Sequence, residues 1–262
     1  MGTALGWIDS HCHLTCRQLL PDVEQVRQRA LDAGVARMMI VCCSVPEAEA
    51  ALRLKQEDPR LDVALGFHPS DLADFSEEDW NKCEALVYNE NISAVGEIGL
   101  DYYWDKQNSA RQKEAFVRQL NWAVKADKPI IVHSRDAIAD TLAILKEHPV
   151  PRRGIIHCFS SSREMAMEFI RLGYTIGLGG PVTFKNAKTP VEVAEQIPLT
   201  HLQIETDCPY LTPHPYRGKR NEPMYLPLTA QKICELRGID ELVLKQQLGE
   251  NYRRLFHPQE EA

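Results

Sequence analysis

Eight short apolar runs recur along the 262-residue chain and limit its fold more than any other feature. They are GWIDSHCH (6–13), RMMIVCC (37–43), LDVALGFHP (61–69), ISAVGEIGLD (92–101), PIIVHSRD (129–136), RGIIHCF (153–159), YTIGLGG (174–180) and LQIETDCPYL (202–211). Most are continuously apolar rather than alternating, as parallel strands buried on both faces require. Helical patterns separate them. DVEQVRQRALDAG (22–34) sets Val23, Val26, Ala30 and Leu31 on one face and stops at Gly34. Segments 45–58, 76–89, 109–127 and 136–148 follow with helical spacing. SSREMAMEFIRLG (161–173) opens with Ser161 and Glu164 at capping-box spacing, and two further helices, 226–238 and 240–256, end the pattern. This alternation predicts an α/β fold, a (β/α)8 TIM-type barrel forming a single domain over 1–262. A doubly wound open sheet is the alternative.

Composition narrows the class. The net charge of −7 argues against a broad nucleic-acid-coating surface, because such binding depends on neutralising phosphates. It leaves room for a local basic patch, which YRGKRNEP (216–223) offers. No apolar stretch is long enough to span a bilayer, so no membrane association is expected. The first residues, MGTALGW, lack the basic-then-apolar pattern of a secretory signal, and Gly6 stands where a myristoylation signal needs Ser or Thr. The eight cysteines are irregularly spaced, with no CxxC pair. They read as reduced structural residues, which predicts a cytoplasmic location.

The residues able to bind metal lie at the ends of the runs. In WIDSHCHL, strand alternation turns His11 and His13 to one side, beside Asp9, and Cys12 to the other. His68 ends the third run, Glu97 and Asp101 lie in the fourth, His133 and His157 end the fifth and sixth, and Glu205 and Asp207 lie in the eighth. A barrel gathers the C-terminal ends of its strands at one mouth, so these distant residues are expected to meet there. Four imidazoles with carboxylates suit two divalent ions, and two ions about 3.5–4 Å apart need a bridging anion. Glu97, from the middle of the strand order, is the expected bridge. One ion would take His11, His13, Glu97 and Asp207, and the other Glu97, His133 and His157.

At these residues the sequence resembles the TatD family of metal-dependent hydrolases, a branch of the amidohydrolase-like barrels. The matching motifs are DSHCHL (9–14), GFHP (66–69), GEIGLDYY (96–103), KPIIVHSRDA (128–137), IHCFS (156–160), ETDCPYLTP (205–213) and RGKRNEP (217–223). Two departures stand out: Ser161 where relatives often have Gly, and GLGGPVTFKNA (177–187) where many carry SGxxTF. Ser161 reads as a helix cap. The resemblance implies a (β/α)8 barrel, one to three divalent ions, and His11, His13, Glu97, His133, His157 and Asp207 as ligands. It also implies Mg²⁺-dependent DNase activity, often 3′→5′ on single strands, and in some members deacylation of misacylated tRNA.

The expected function is therefore divalent-metal-dependent hydrolysis, as a 3′–5′ exodeoxyribonuclease acting on single-stranded or short DNA. Mg²⁺, Mn²⁺ and Zn²⁺ are the candidate ions. Asp207 is placed to take a proton from the attacking water, Glu205 to orient that water or a neighbouring ligand, and His68 to face phosphate or leaving group. Arg135, Arg217, Lys219 and Arg220 are expected to hold phosphate, and Tyr102 with Tyr103 to stack on bases. An amide or ester hydrolase such as a D-aminoacyl-tRNA deacylase is the alternative enzyme. Amidohydrolase-like barrels often use a carboxylated lysine as the bridge, but here the fourth run offers Glu97, and the Lys of the fifth segment, Lys128, precedes its strand. A non-catalytic metal-binding protein is the third reading, disfavoured by Glu205 and His68 beside a full ligand set. No protein partner can be inferred.

Overall fold

A computed structural model describes residues 6–259, so the residues on which the absence of a secretory signal rests lie mostly outside it. Eight strands form one parallel sheet in sequence order: β1 (Trp7–Cys12), β2 (Val35–Cys42), β3 (Leu61–Leu65), β4 (Ala94–Asp101), β5 (Ile130–Arg135), β6 (Gly154–Ile156), β7 (Thr175–Leu178) and β8 (Leu202–Ile204). Each lies inside one of the eight runs, except that β2 starts two residues earlier. The last strand returns to the first. The Asp207 amide donates to the His11 carbonyl at 2.9 Å, and the His13 amide to the Cys208 carbonyl at 2.9 Å. The Asp9 carboxylate accepts from the Thr206 amide and hydroxyl. Asp9, adjacent to the histidine pair in sequence, thus closes the barrel seam. Its burial raises its pKa to about 7 against the pull of the Thr206 bonds.

The helices are α1 (Val23–Asp32), α2 (Val45–Glu57), α3 (Glu77–Val87), α4 (Tyr102–Asp105), α5 (Ser109–Ala126), α6 (Ile138–Glu147), α7 (Arg163–Arg171), α8 (Thr189–Gln196), α9 (Leu226–Arg237) and α10 (Glu241–Phe256). Local chemistry sets several starts. Ser44 caps α2, and Ser76 and Asp79 form a reciprocal capping box at α3. Caps of this kind contribute about 1 kcal/mol each. The cap of α7 is Ser162, whose side chain accepts from the Met165 amide, so the expectation for Ser161 is off by one residue. Two α-helices were not anticipated: the single turn α4, and α8, whose short TPVEVAEQ segment contains a proline and two β-branched valines.

The main core lies between the sheet and the helices, with Phe116, Leu120, Trp122 and Phe169 buried against Ile40, Val63, Val132 and Ile156. A second cluster contains Met39, Val41, Ala64, Ala94, Ile131 and Ile155, and Tyr252, Leu255 and Phe256 of α10 close it. These strand residues point into the barrel, and α10 plugs its floor. Side-chain alternation then aims the residue two further along each strand at the mouth: His133 after Ile131, and His157 after Ile155. All eight cysteines are free. No helix among the described residues is long and apolar enough to cross a membrane.

Candidate metal centre and active site

Glu97 lies at the centre of the mouth. Its Oε2 is 3.3 Å from His11 Nε2 and 3.6 Å from His13 Nε2. Its Oε1 is 2.8 Å from His133 Nδ1, 2.7 Å from His157 Nε2 and 3.6 Å from His68 Nε2. Asp207 Oδ1 completes the first group, 3.7 Å from His11 Nε2 and 3.5 Å from His13 Nε2. Three overlapping sets of possible ligands result: His11–His13–Glu97, His11–His157–Asp207 and His68–Glu97–His133.

Close approach of backbone builds this geometry. Gly99 has φ of +141°, and a Cβ there would stand 2.0 Å from the His133 carbonyl oxygen. Only glycine lets β4 lie this close to β5 and bring Glu97 against His133. A Cβ on Gly177 would stand 2.6 Å from Glu205 Oε2, so β7 leaves a slot for that carboxylate. Asp207 and Cys158, just beyond β8 and β6, hold left-handed backbones with φ of 54° and 45°. Such conformations in non-glycine residues concentrate where function fixes the backbone.

The donor set fits a divalent cation. Atoms bound tetrahedrally to one ion at about 2.0–2.1 Å stand roughly 3.3 Å apart. The His11 and His13 Nε2 atoms are 3.1 Å apart, and their distances to Glu97 and Asp207, 3.3–3.7 Å, lie at or just above that spacing. The electrostatics agree. Burial disfavours ionised Glu97, yet His157, His68 and His11 hold its carboxyl well below the usual range. Burial likewise opposes protonation of His157, but Glu97 and Glu205 raise its pKa well above normal. His13 rises to about 8 because Asp207 and Glu97 outweigh its burial, whereas burial lowers His68 to about 4. These carboxylates demand positive charge from their surroundings. Buried His11 Nδ1 and Glu205 Oε2 have no hydrogen-bond partner, which is costly in a finished core.

Outer contacts orient the histidines. Asp101 Oδ2 lies 2.9 Å from His133 Nε2, and the Val41 carbonyl lies 3.0 Å from His13 Nδ1. A carboxylate or carbonyl on one ring nitrogen directs the other toward metal. Glu205 is fully buried. Its Oε1 accepts from the Cys158 amide and lies 3.3 Å from His157 Nδ1, so it sits behind His157.

Residues 8–257 match the family described as TatD related DNase. This chain belongs to the TatD family of metal-dependent hydrolases. It is 43% identical to the uncharacterized metal-dependent hydrolase YabD of Bacillus subtilis, with 95% of this chain and 98% of that protein covered. Against the uncharacterized metal-dependent hydrolase YcfH of Escherichia coli K12 the identity is 38%, covering 95% of each. The crystal structure of the TatD homologue YjjV from E. coli K12 superposes with a TM-score of 0.91 at 33% identity, covering 95% of this chain and 97% of that one. The TatD membership and this superposition establish the barrel fold; the open-sheet alternative falls away.

The mouth opens into a cavity of about 700 Å³, lined by His13, His68, Glu97, His133, His157 and Asp207 among others. Of the six residues expected to hold phosphate or stack on bases, only Arg135 is part of this lining. Arg220 is held by Asp22 at 2.7 Å and Glu222 at 2.8 Å, so its guanidinium ties loops together instead of facing a phosphate. Buried Asn221 secures the same loop through the Thr206 and Tyr210 carbonyls. Arg217 lies over Phe184 at 3.9 Å, and Lys219 Nζ is 5.3 Å from the Tyr216 ring. The half-buried Tyr102 donates its hydroxyl to Asp140, which takes it away from base stacking. Lys128 Nζ donates to the Val87 and Asn89 carbonyls, away from any bridging position. Sequence reasoning did not anticipate Trp104, Glu47, Asp71 and Tyr210 in the wall. Glu47 and Trp104 fall inside or beside helices, where an apolar-run reading assigns no chemistry.

Proposed function

We propose that this TatD-family hydrolase is a 3′–5′ exodeoxyribonuclease on single-stranded or short DNA, working with two divalent ions. The observation that carries the reading is the division of the Glu97 carboxylate. One oxygen faces His11 and His13 and the other faces His133, His157 and His68, as a bridging ligand requires. His11, His13, Glu97 and Asp207 would hold one ion, and Glu97, His133 and His157 the other. Bound divalent ions supply Lewis-acid charge stabilisation and a water acidic enough to ionise near neutral pH.

The chain's own groups do the rest. Asp207, which lines the cavity, accepts the proton of the attacking water. Glu205 fixes the angle of His157 and does not touch substrate. His68, at the cavity wall, faces the leaving oxygen, and Arg135 holds the phosphate of the next nucleotide by paired N–H donors. The concave mouth and the acidic body favour strand ends over long duplex. The family description as a DNase supports the phosphodiester assignment.

The test begins with chelator-stripped protein, to which Mg²⁺, Mn²⁺ or Zn²⁺ is restored one at a time with 5′-labelled single-stranded DNA. A ladder shortening from the 3′ end with at least one ion is expected. Absence of cleavage by protein shown to hold metal would reject the nuclease and move the assignment to acyl substrates, with D-aminoacyl-tRNA tested next.

A further inference from the structure

The turn α4 holds two large aromatic side chains in solvent at the cavity rim. Tyr103 is 55% exposed and Trp104 68% exposed, and their rings meet edge to face at 4.9 Å. The Arg135 guanidinium lies 3.8 Å from the Tyr103 ring centre and 5.6 Å from that of Trp104. Trp104 and Arg135 also line the cavity that contains Glu97 and His133. One continuous surface therefore runs from the candidate metal centre to this platform.

The platform is held in place. Asp101 Oδ1 accepts from the Tyr103 and Trp104 amides, while its Oδ2 contacts His133 Nε2 at 2.9 Å. One carboxylate thus anchors both the aromatic turn and a candidate metal ligand. Buried Gln112 accepts from the Asp101 amide and donates to the Asp101 and Asp105 carbonyls. Exposed aromatics gain stability when covered by another flat apolar face.

We propose that Tyr103, Trp104 and Arg135 form a stacking subsite for one unpaired nucleobase of a strand whose end lies at Glu97. The proposal rests on the nucleic-acid reading above and adds the place where a base is held. Planar π-faces match the aromatic rings, and the Arg135 charge suits the phosphate joined to that base. Base identity would matter little, because every base offers a flat face.

Trp104 provides its own probe. The other three tryptophans, Trp7, Trp80 and Trp122, are all buried. The metal-loaded protein is titrated with a single-stranded decamer of thymidylates blocked by phosphorothioate links, while tryptophan fluorescence and anisotropy of an end label are recorded. A parallel set of decamers carries one abasic residue at successive positions from the 3′ end. The intact strand is expected to quench fluorescence, and one abasic position is expected to abolish the quench. The double substitution Tyr103→Ala with Trp104→Ala should weaken binding by about 5- to 150-fold, the range for loss of one stacked base, and should remove sensitivity to that position. Tyr88→Ala, an exposed aromatic outside the cavity, should change neither. A strand that binds and is cut in its unblocked form, yet quenches nothing and binds the double variant equally well, overturns the subsite alone. A strand that does not bind the metal-loaded protein overturns the nucleic-acid reading and the subsite with it.

Discussion

Both ends of this barrel bury a carboxylate among nitrogen donors, but only the floor surrounds it with permanent cations, Arg37 and Lys55. At the floor, Asp62 accepts from Arg37 at 2.9 Å, Lys55 at 3.2 Å and the Tyr252 hydroxyl at 2.8 Å, and it lies 2.9 Å from His257 Nε2. Each of its oxygens meets at least one donor. At the mouth, Glu97 has five histidines nearby, and the cluster leaves His11 Nδ1 and Glu205 Oε2 unpartnered. The floor joins α10 to β2 and β3 and works as a structural tie. The mouth is a set of Lewis bases converging on shared space, which becomes stable when a cation occupies it. Burial alone does not separate the two ends, since both carboxylates are almost wholly buried. The balance of donors to acceptors does.

The largest effect separating the ends is expected from Glu97→Gln. It should lower hydrolysis by about three orders of magnitude, since several kcal/mol of transition-state charge stabilisation depend on the ions and each 1.36 kcal/mol is tenfold in rate. The folded state of the chelator-treated protein should be little affected. Steady-state rates with urea melts on the same samples decide this, and a stability loss as large as the rate loss would make Glu97 a structural tie like Asp62.

Asp62→Ala should behave in the opposite way. Removing one member of a buried charge cluster costs about 3–5 kcal/mol. The lower end applies, because the Arg37 and Lys55 side chains keep 26% and 20% of their surface exposed and regain water. Activity per folded molecule at low temperature should stay near wild type. A variant that melts normally, or that loses activity while folded, would remove the contrast between the ends.

Chelation should produce a smaller shift at the mouth alone. An ion at 100 times its dissociation constant stabilises the folded state by about 2.7 kcal/mol. Stripping it should lower the midpoint of wild type and Asp62→Ala by similar amounts, and that of Glu97→Gln by less. Differential scanning calorimetry with and without Mn²⁺ measures this directly.

The two ends also differ in how far the sequence discloses them. His133 and His157 were readable because each follows an apolar residue by two positions at the end of an apolar run, and strand alternation fixes the aim of the side chain. Asp62 sits in the run LDVAL with the same logic, yet its partners come from β2, α2 and the end of α10. Their convergence depends on α10 plugging the floor, which no local pattern encodes. The same limit hid the pairing of Arg220 with Asp22, 198 residues away. In GLDYYW, the pattern offered three adjacent aromatics and no rule for ranking them. A hydrogen bond from Tyr102 to Asp140 takes the first one and leaves the exposed pair. The short helix α8 escaped notice because its stability comes from packing Val193 and Ala194, against the propensity of its valines.

The smallest effect is a pH dependence confined to the floor. Burial opposes ionisation of Asp62, but His257, Arg37 and Lys55 hold its pKa well below that of a free aspartate. An aspartate in the unfolded chain titrates near ~3.9. Between that value and the lower folded one, the unfolded chain binds more protons, so stability rises with pH. The Asp62 contribution is thus fully present above about pH 5 and fades as the pH falls through the folded pKa. Urea denaturation between pH 3 and pH 6 should show a shallower acid slope in Asp62→Asn than in wild type. Because no ion binds at the floor in this account, the difference between the two slopes should be the same with Mn²⁺ and with chelator. A difference that vanished on chelation would mean that the two ends are coupled through the strands, and that the floor helps set the geometry of the mouth.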